Sequence, residues 1–86
     1  MNYSSLNELA VTNVRALLGA RRESIDQLAS SSGIPKSTLN RRLHLKSPFT
    51  LEEIESISVH FKVNPSSLIT KNPFDSTALA DGGESE

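Results

Sequence analysis

The feature that most constrains this chain is a glycine set between two short amphipathic patterns in residues 24–44. Ser24, followed three residues later by Gln27, has the spacing of a capping box and predicts that a helix begins there. Gly33 stands where that helix must end, at a position that often needs a positive φ. Pro35 then fixes a φ that suits the start of a new helix. The segment therefore predicts two short helices joined by a tight turn.

The second of these helices has an apolar side and a polar side. Leu39 and Leu43 are four residues apart, so we expect both to anchor the helix in the core. The side chains left to point outward are Lys36, Ser37, Asn40, Arg41 and His44. A helix pair with a glycine turn and a polar, basic second helix is typical of a helix-turn-helix, whose second helix enters the major groove of DNA.

Helix signals continue on both sides of this motif. They predict a first helix over about residues 6–20, a fourth that begins after Thr50, and a short fifth over 65–69. The residues that carry the capping signals are Ser5 with Glu8, Thr50 with Glu53, and Asn64 with Pro65. The buried stripe of the fourth helix is expected to be Leu51, Ile54, Ile57 and Phe61. Because no strand pattern is convincing, the predicted class is an all-α domain of five helices.

Composition divides the chain into three parts. We expect residues 1–5 to form an N-terminal arm and residues 6–70 to form the folded domain. Residues 71–86 are small, polar and acidic, which predicts a disordered tail. Phe74 and Leu79 leave open a docked tail, including one that docks across a dimer.

The formal net charge of −1 conceals a strong asymmetry. Residues 15–46 carry seven basic and two acidic side chains, for a net charge of +5. Residues 47–86 carry seven acidic and two basic side chains, for a net charge of −5. A basic cluster matters more for nucleic-acid binding than the total charge. Charge alone is also compatible with an ordinary solvated face, and salt links to Glu23 or Asp26 would account for Arg15, Arg21 and Arg22.

The motif and both of its flanks resemble one known family. Within the motif the matching residues are Leu28-Ala29, Gly33-Ile34 and Lys36-Ser37-Thr38-Leu39. Residues 14–24 and 49–69 are similar to the flanking helices, so the resemblance covers residues 6–70. The chain thus resembles the phage-repressor helix-turn-helix family of the Cro/XRE type. The resemblance implies a compact, five-helix, lambda-repressor-like fold and a sequence-specific DNA-binding transcriptional regulator, similar to a repressor or Cro protein.

Both the chemistry of the second motif helix and the resemblance predict which residues contact DNA. Lysine and arginine can donate to guanine, and asparagine can pair with adenine. The expected base contacts are Lys36, Ser37, Asn40 and Arg41. The expected phosphate contacts are Ser24, Thr38, Lys46, Ser47 and Arg42. Two alternatives stay open: a phosphate contact from Arg41, and a Thr38 hydroxyl that only bonds within its own helix.

A domain of this size covers only a few base pairs, so useful specificity needs two half-sites. We therefore expect a homodimer on a palindromic operator in double-stranded DNA. The dimer contact is expected to be small and to come from the fifth helix and the tail. Whether it forms only on DNA stays open.

The chain departs from the family pattern at three positions. Ile25 stands where many members have a phosphate-binding glutamine, and Ser32 where an apolar residue packs before the turn glycine. Arg42 stands where an apolar side chain is common. Either the core is thinner at Arg42, or Leu43 takes over the anchoring. These departures put in doubt how tightly one domain binds DNA.

Enzymatic and membrane functions have no support in the sequence. With no cysteine, and with His44 and His60 on different elements, we expect no metal, cofactor, catalytic residue or small-molecule substrate. No signal peptide or membrane span is expected, which favours a cytoplasmic protein of a bacterial host, associated with the nucleoid when bound. Two alternatives stay open: an antitoxin whose tail binds a toxin, and a protein-interaction module that kept the helix-turn-helix shape.

Overall fold

Four α-helices and one 3₁₀ helix make up the computed structural model, which describes residues 4–71. The helices are α1 (Ser4–Arg21), α2 (Ile25–Ser32), α3 (Lys36–Leu43) and α4 (Leu51–Phe61), followed by the 3₁₀ helix Pro65–Ile69. All regular structure in that part of the chain is helical, which confirms the predicted all-α class. The predicted arm (1–5) and tail (71–86) lie outside the described residues except at Ser4, Ser5 and Lys71.

Two predicted elements differ from the structure. The fifth helix is a 3₁₀ helix because its five residues leave room for little more than one turn, which closes through the Ser67 N–H donating to the Asn64 carbonyl at 2.9 Å. The predicted N-cap at Ser5 is wrong, since α1 already begins at Ser4. The first four N–H groups of a helix have no intrahelical partner wherever the helix begins, and at an exposed end water can bond them, so the start can move by a residue at little cost.

The two capping boxes that frame the motif are confirmed. The Gln27 N–H donates to Ser24 Oγ at 3.1 Å, while the Ser24 N–H donates to Gln27 Oε1 at 2.7 Å. At the start of α4, the Glu53 N–H donates to Thr50 Oγ1 and the Thr50 N–H donates to Glu53 Oε1, both at 3.0 Å. These local bonds fix where α2 and α4 begin.

Positive φ values mark the ends of all four α-helices. Gly33 ends α2 with φ of 81° and donates its N–H to the Ala29 carbonyl at 3.0 Å, as the sequence predicted. The other three ends use residues with a Cβ, for which this conformation is strained. They are Arg22 with φ of 54°, and Leu45 and Lys62, each with φ of 61°.

Replacing one of these strained residues by glycine is expected to stabilise the domain. Lys62 is exposed, so Lys62→Gly should raise the free energy of unfolding by about 0.5–1 kcal/mol through relief of the positive φ. Urea denaturation followed by circular dichroism measures the change. Lys62→Ala removes the same side chain but keeps a Cβ, so it should give no such gain; an equal gain in both variants would contradict the argument.

One hydrophobic core joins the elements. The side chains buried almost completely are Phe61, Leu28, Leu39, Leu43, Ile57, Leu68 and Val14. Leu39 and Leu43 thus anchor α3, as predicted. Leu51, expected in the buried stripe of α4, is instead 87% exposed. It is the first residue of α4 and projects beyond the edge of the core, whereas Ile54 and Ile57 lie over it.

A buried asparagine fastens α1 to the end of the domain. Asn13 is 3% exposed, in a helix face that is otherwise apolar. Its Nδ2 donates to the carbonyls of Leu68 at 2.8 Å and Thr70 at 2.9 Å, and lies 3.3 Å from that of Ser67. These bonds satisfy carbonyls that a short 3₁₀ helix leaves unpaired.

Candidate nucleic-acid interface

The structure brings the four predicted base-contacting residues to one side of α3. Lys36, Ser37 and Arg41 are exposed, and Asn40 is half-buried. With about 100° of rotation per residue, these positions span one continuous face, in which Ser37 and Arg41 lie opposite the buried Leu39 and Lys36 lies at its edge. We call this surface the α3 face. Its width and helical geometry suit the major groove, which admits one α-helix.

Two members of the α3 face keep their polar groups available. The Arg41 guanidinium and the Asn40 carboxamide form no hydrogen bond or ion pair with any residue in 4–71. The Asn40 backbone carbonyl is in use, because it accepts from the His44 N–H at 3.0 Å and lies 2.8 Å from His44 Nδ1. Both side chains can therefore donate to an outside ligand without breaking a contact inside the domain.

Lys36, the first residue of α3, is paired instead. Its Nζ lies 3.0 Å from Asp26 Oδ1 on α2. Both side chains are largely exposed, and exposed pairs of this kind contribute little to stability. The pair can therefore open when a stronger acceptor approaches. Asp26 also lowers the local positive charge on this side of the motif.

Arg42 points away from the α3 face and forms a clamp with α4. Its Nε donates to Glu53 Oε1 at 2.8 Å and its Nη2 to Glu53 Oε2 at 3.0 Å, in a bidentate pair. Its Nη1 donates to Ser47 Oγ at 2.6 Å. We call Arg42, Ser47 and Glu53 the α3–α4 clamp. The sequence left two alternatives at Arg42: a thinner core, or anchoring of α3 by Leu43. In the structure Leu43 is the anchor, because it is buried in the core while Arg42 is paired with Glu53.

The clamp changes the acid–base properties of Glu53. The hydrogen bond from Arg42 lowers the pKa of the Glu53 carboxyl, an effect that its partial burial opposes and the Thr50 N–H reinforces. The same hydrogen bond raises the pKa of Arg42, so the guanidinium stays charged. The pair is ionised at neutral pH and holds the loop between α3 and α4 against α4.

Acid is expected to weaken the domain through this group. Because the pKa of Glu53 is lowered in the folded state, its contribution to stability is complete above the unfolded value of about 4.3 and is lost as pH falls through the lower folded value. The melting temperature of the protein should therefore exceed that of Glu53→Gln at neutral pH, and the gap should narrow below about pH 4. Glu52→Gln, at the exposed neighbouring position, is the control. A gap that stays constant down to acid pH would rule out this role for Glu53.

The predicted phosphate contacts are placed unevenly. Ser24 and Lys46 are exposed, whereas Thr38, Arg42 and Ser47 are half-buried. Ser24 Oγ already accepts the capping bond, but its hydroxyl hydrogen can still be donated. Ser47 Oγ accepts from Arg42 within the clamp. Lys46 is therefore the predicted phosphate contact with the most accessible charge.

Two arginines outside the motif stabilise helix ends. Arg15 Nη2 donates to the Leu43 carbonyl at 2.7 Å, at the last residue of α3. Arg21 Nη2 donates to the Phe61 carbonyl at 2.9 Å, and its guanidinium lies over the Phe61 ring at 5.5 Å. Cations suit the negative ends of helix dipoles. Arg15 and Arg21 therefore bond to backbone carbonyls and not to Glu23 or Asp26, the partners considered from the sequence. The bond from Arg15 helps to position α3.

The partners that those salt links would have used are engaged elsewhere. Glu23 accepts from His60 Nε2, with its two carboxylate oxygens at 2.8 and 3.0 Å. Asp26 is paired with Lys36.

Among residues 4–71, no three His, Cys, Asp or Glu side chains are close enough together to hold a metal ion. No helix in the same range is long and apolar enough to cross a membrane.

Comparison with known proteins agrees with this geometry. The model of the Cro/C1-type HTH DNA-binding domain matches residues 13–73, well over half of the chain. None of the curated proteins or solved structures compared with the chain matches it significantly. The matched range contains α2, the Gly33 turn, α3 and the clamp to α4. The chain therefore belongs to the Cro/C1-type helix-turn-helix family of DNA-binding domains.

Proposed function

We propose that this protein is a sequence-specific transcriptional regulator, similar to a repressor or Cro protein, which binds a palindromic operator as a dimer. The observation that carries the proposal is the α3 face, where a guanidinium and a carboxamide lie without partners within residues 4–71 on a helix held by buried leucines. Membership of the family supports DNA binding, and the α3 face supports the more specific role of a sequence-specific regulator. Occupying an operator would obstruct RNA polymerase in the cytoplasm of a bacterial host.

Each polar group of the α3 face suits a particular base edge. Arg41 and Lys36 can donate to the O6 and N7 of guanine, and Asn40 can pair with the N6 and N7 of adenine. Ser37, in the first turn of α3, can donate to or accept from either purine. Lys36 reaches DNA only if its exposed pair with Asp26 opens.

Phosphate contacts would fix the position of α3 in the groove. Lys46 lies three residues after the end of α3 and is exposed, so it is the strongest candidate. Ser24, at the start of α2, and Thr38, within α3, are the other candidates. Arg42 and Ser47 can contribute in a different way. While the clamp is closed they set the shape of the loop that carries Lys46, and a direct phosphate contact from Arg42 would require that clamp to open.

The dimer follows from the small size of one recognition surface. One α3 face reads only a few base pairs, whereas operator specificity is about 4–10 kcal/mol over non-specific DNA. Two faces on half-sites one helical turn apart supply that difference, and half-site spacing is then about 10–10.5 base pairs.

Selection from a random pool of DNA duplexes tests the proposal. We expect a palindromic sequence to be enriched, with log K for that sequence falling linearly as log salt rises. The absence of any enriched sequence, even at low salt, would overturn the regulator. The domain would then be better pursued as a protein-binding module, with the antitoxin alternative tested by capture of a toxin on the acidic segment 71–86.

A further inference from the structure

An apolar groove lies at the junction of α1, the loop before α4 and the 3₁₀ helix. Its volume is about 240 Å³. Three large hydrophobic side chains that the structure leaves exposed line it: Leu51 at 87%, Leu6 at 55% and Ile69 at 40%. Ala10 and Ile54 form part of its wall. We call this surface the Leu51 groove. Exposed apolar side chains gathered on one groove are typical of an interaction site.

The Leu51 groove offers nothing to a charged or strongly polar ligand. No Asp, Glu, Lys, Arg or His is among its lining residues. Its one amide side chain is Asn7, whose Oδ1 already accepts from the Phe49 N–H at 3.0 Å. The occupant must therefore present an apolar surface, and two identical copies of this groove meet without repulsion between like charges.

The shape of the groove suits a side chain that this chain itself supplies. An apolar cavity of about 150 Å³ accommodates a benzene molecule, so this groove has room for one leucine side chain. Leu51 projects from the groove's own edge, because it is the first residue of α4 and 87% exposed. In a twofold contact, the Leu51 of each copy can enter the groove of the other.

The groove also lies next to the proposed DNA surface. Pro48 and Phe49 line it, and they directly follow Lys46 and Ser47, which are predicted to contact phosphate. No residue of the α3 face lines the groove, so a twofold contact through the groove would bring two α3–α4 loops together and leave the α3 faces uncovered. Two α3 faces beside one axis is the arrangement that a palindromic operator requires.

We infer that the Leu51 groove is the site where a second copy of this chain docks. Eight residues line the groove, whereas a stable interface uses about 20–30 residues on each side, so the contact is weak and is completed on DNA. The completion on DNA rests on the proposed function; the groove contact itself does not. Ile69 belongs to the predicted fifth helix, whereas Leu6 and Leu51 extend the contact beyond the surface that the sequence indicated.

The test compares Leu51→Asp with Val59→Asp. Both residues are exposed and apolar and both lie on α4, but Val59, at 70% exposure, is not part of the groove. An acidic residue at the start of a helix is favourable, so Leu51→Asp should keep the fold. Backbone amide spectra of the ¹⁵N-labelled protein are recorded up to about 1 mM, a concentration at which half of the protein is dimeric if the Kd is about 1 mM.

With rising protein concentration, the amide signals of Leu6, Leu51 and Ile69 should shift, and that of Val59 should not. Leu51→Asp should abolish these shifts, and Val59→Asp should preserve them. Leu51→Asp should lose about 10- to 30-fold more affinity on a duplex with two half-sites than on a duplex with one half-site, which corrects for any direct effect of its charge on DNA binding. Groove signals that do not shift, or that shift equally in Leu51→Asp, would overturn the inference.

The two proposals fail in different ways. Salt-sensitive DNA binding without concentration-dependent shifts would overturn the groove contact and leave the regulator standing. Shifts that Leu51→Asp removes, in a protein that selects no DNA sequence, would overturn the regulator and leave the groove contact standing.

Discussion

Replacing Arg41 or Asn40 by alanine is expected to weaken binding to the selected operator by about 10- to 100-fold, and to relax the base preference at the position that each side chain contacts. Binding to non-specific DNA should change much less for Asn40→Ala, because the carboxamide carries no charge. Arg41→Ala also removes one cation and should weaken non-specific binding slightly.

The expected effect on DNA binding is large, and the effect on stability is small. Neither side chain forms a hydrogen bond or ion pair within residues 4–71, so stability should stay nearly unchanged. The base edges that lose their partners, by contrast, stay desolvated in the complex, and an unpaired polar group costs about 1–3 kcal/mol. Base selection therefore changes while the fold does not.

Lys46→Ala and Lys62→Ala are the matched comparisons. Each removes one exposed positive charge. Lys46→Ala should weaken binding to all sequences alike and reduce the salt slope by about one unit, as expected for a lost phosphate contact. Lys62→Ala, at the end of α4, should leave both quantities unchanged. The assignment of the α3 face fails if Arg41→Ala and Lys46→Ala have the same effect on selected and random duplexes.

The parts of the fold that could be predicted from the sequence depend on neighbours in the chain. The capping boxes at Ser24 and Thr50 and the turn at Gly33 involve residues within four positions of each other. The inward position of Leu39 and Leu43 follows from helical periodicity. The outward side of α3 could be predicted for the same reason, since it is the complement of that apolar stripe.

What the sequence left open depends on contacts between distant residues. Arg42 pairs with Glu53, eleven positions away, and Arg15 reaches the Leu43 carbonyl across the domain. Long, flexible cationic side chains can reach several partners, and only the packing of helices decides among them. The predicted burial of Leu51 is wrong because periodicity gives the direction of a side chain but not whether the core extends that far.

Substituting Asn13 by aspartate is expected to have the largest effect on stability. The change is nearly isosteric, but it replaces an amide that donates to the Leu68 and Thr70 carbonyls by an oxygen that can only accept. At neutral pH a carboxylate would then lie buried against carbonyl oxygens. An uncompensated buried charge costs about 3–5 kcal/mol, a large part of the 5–15 kcal/mol typical of native domains. We expect the melting temperature to fall steeply.

Asn7→Asp is the control, because it is the same substitution in the same helix with the opposite hydrogen-bonding requirement. Asn7 uses its Oδ1, which accepts from the Phe49 N–H, and a carboxylate oxygen can accept that bond equally well. The Asn7 position is also in the N-terminal part of α1, where negative charge is tolerated. Little or no loss of stability is therefore expected there, and equal losses at both positions would show that the donor role of Asn13 is not what matters.

The pH dependence distinguishes a lost donor from a simple misfit. Burial and the facing carbonyls would raise the pKa of the introduced carboxyl above its unfolded value of about 3.9. The loss in free energy of unfolding is then complete above the raised folded-state pKa and shrinks as pH falls towards the unfolded-state pKa. The reason is that the protonated carboxyl can again donate to a carbonyl. Relative to the unsubstituted protein, Asn13→Asp should therefore recover stability on acidification. A penalty that does not vary with pH would mean that α1 and the 3₁₀ helix are joined by packing and not by the Asn13 hydrogen bonds.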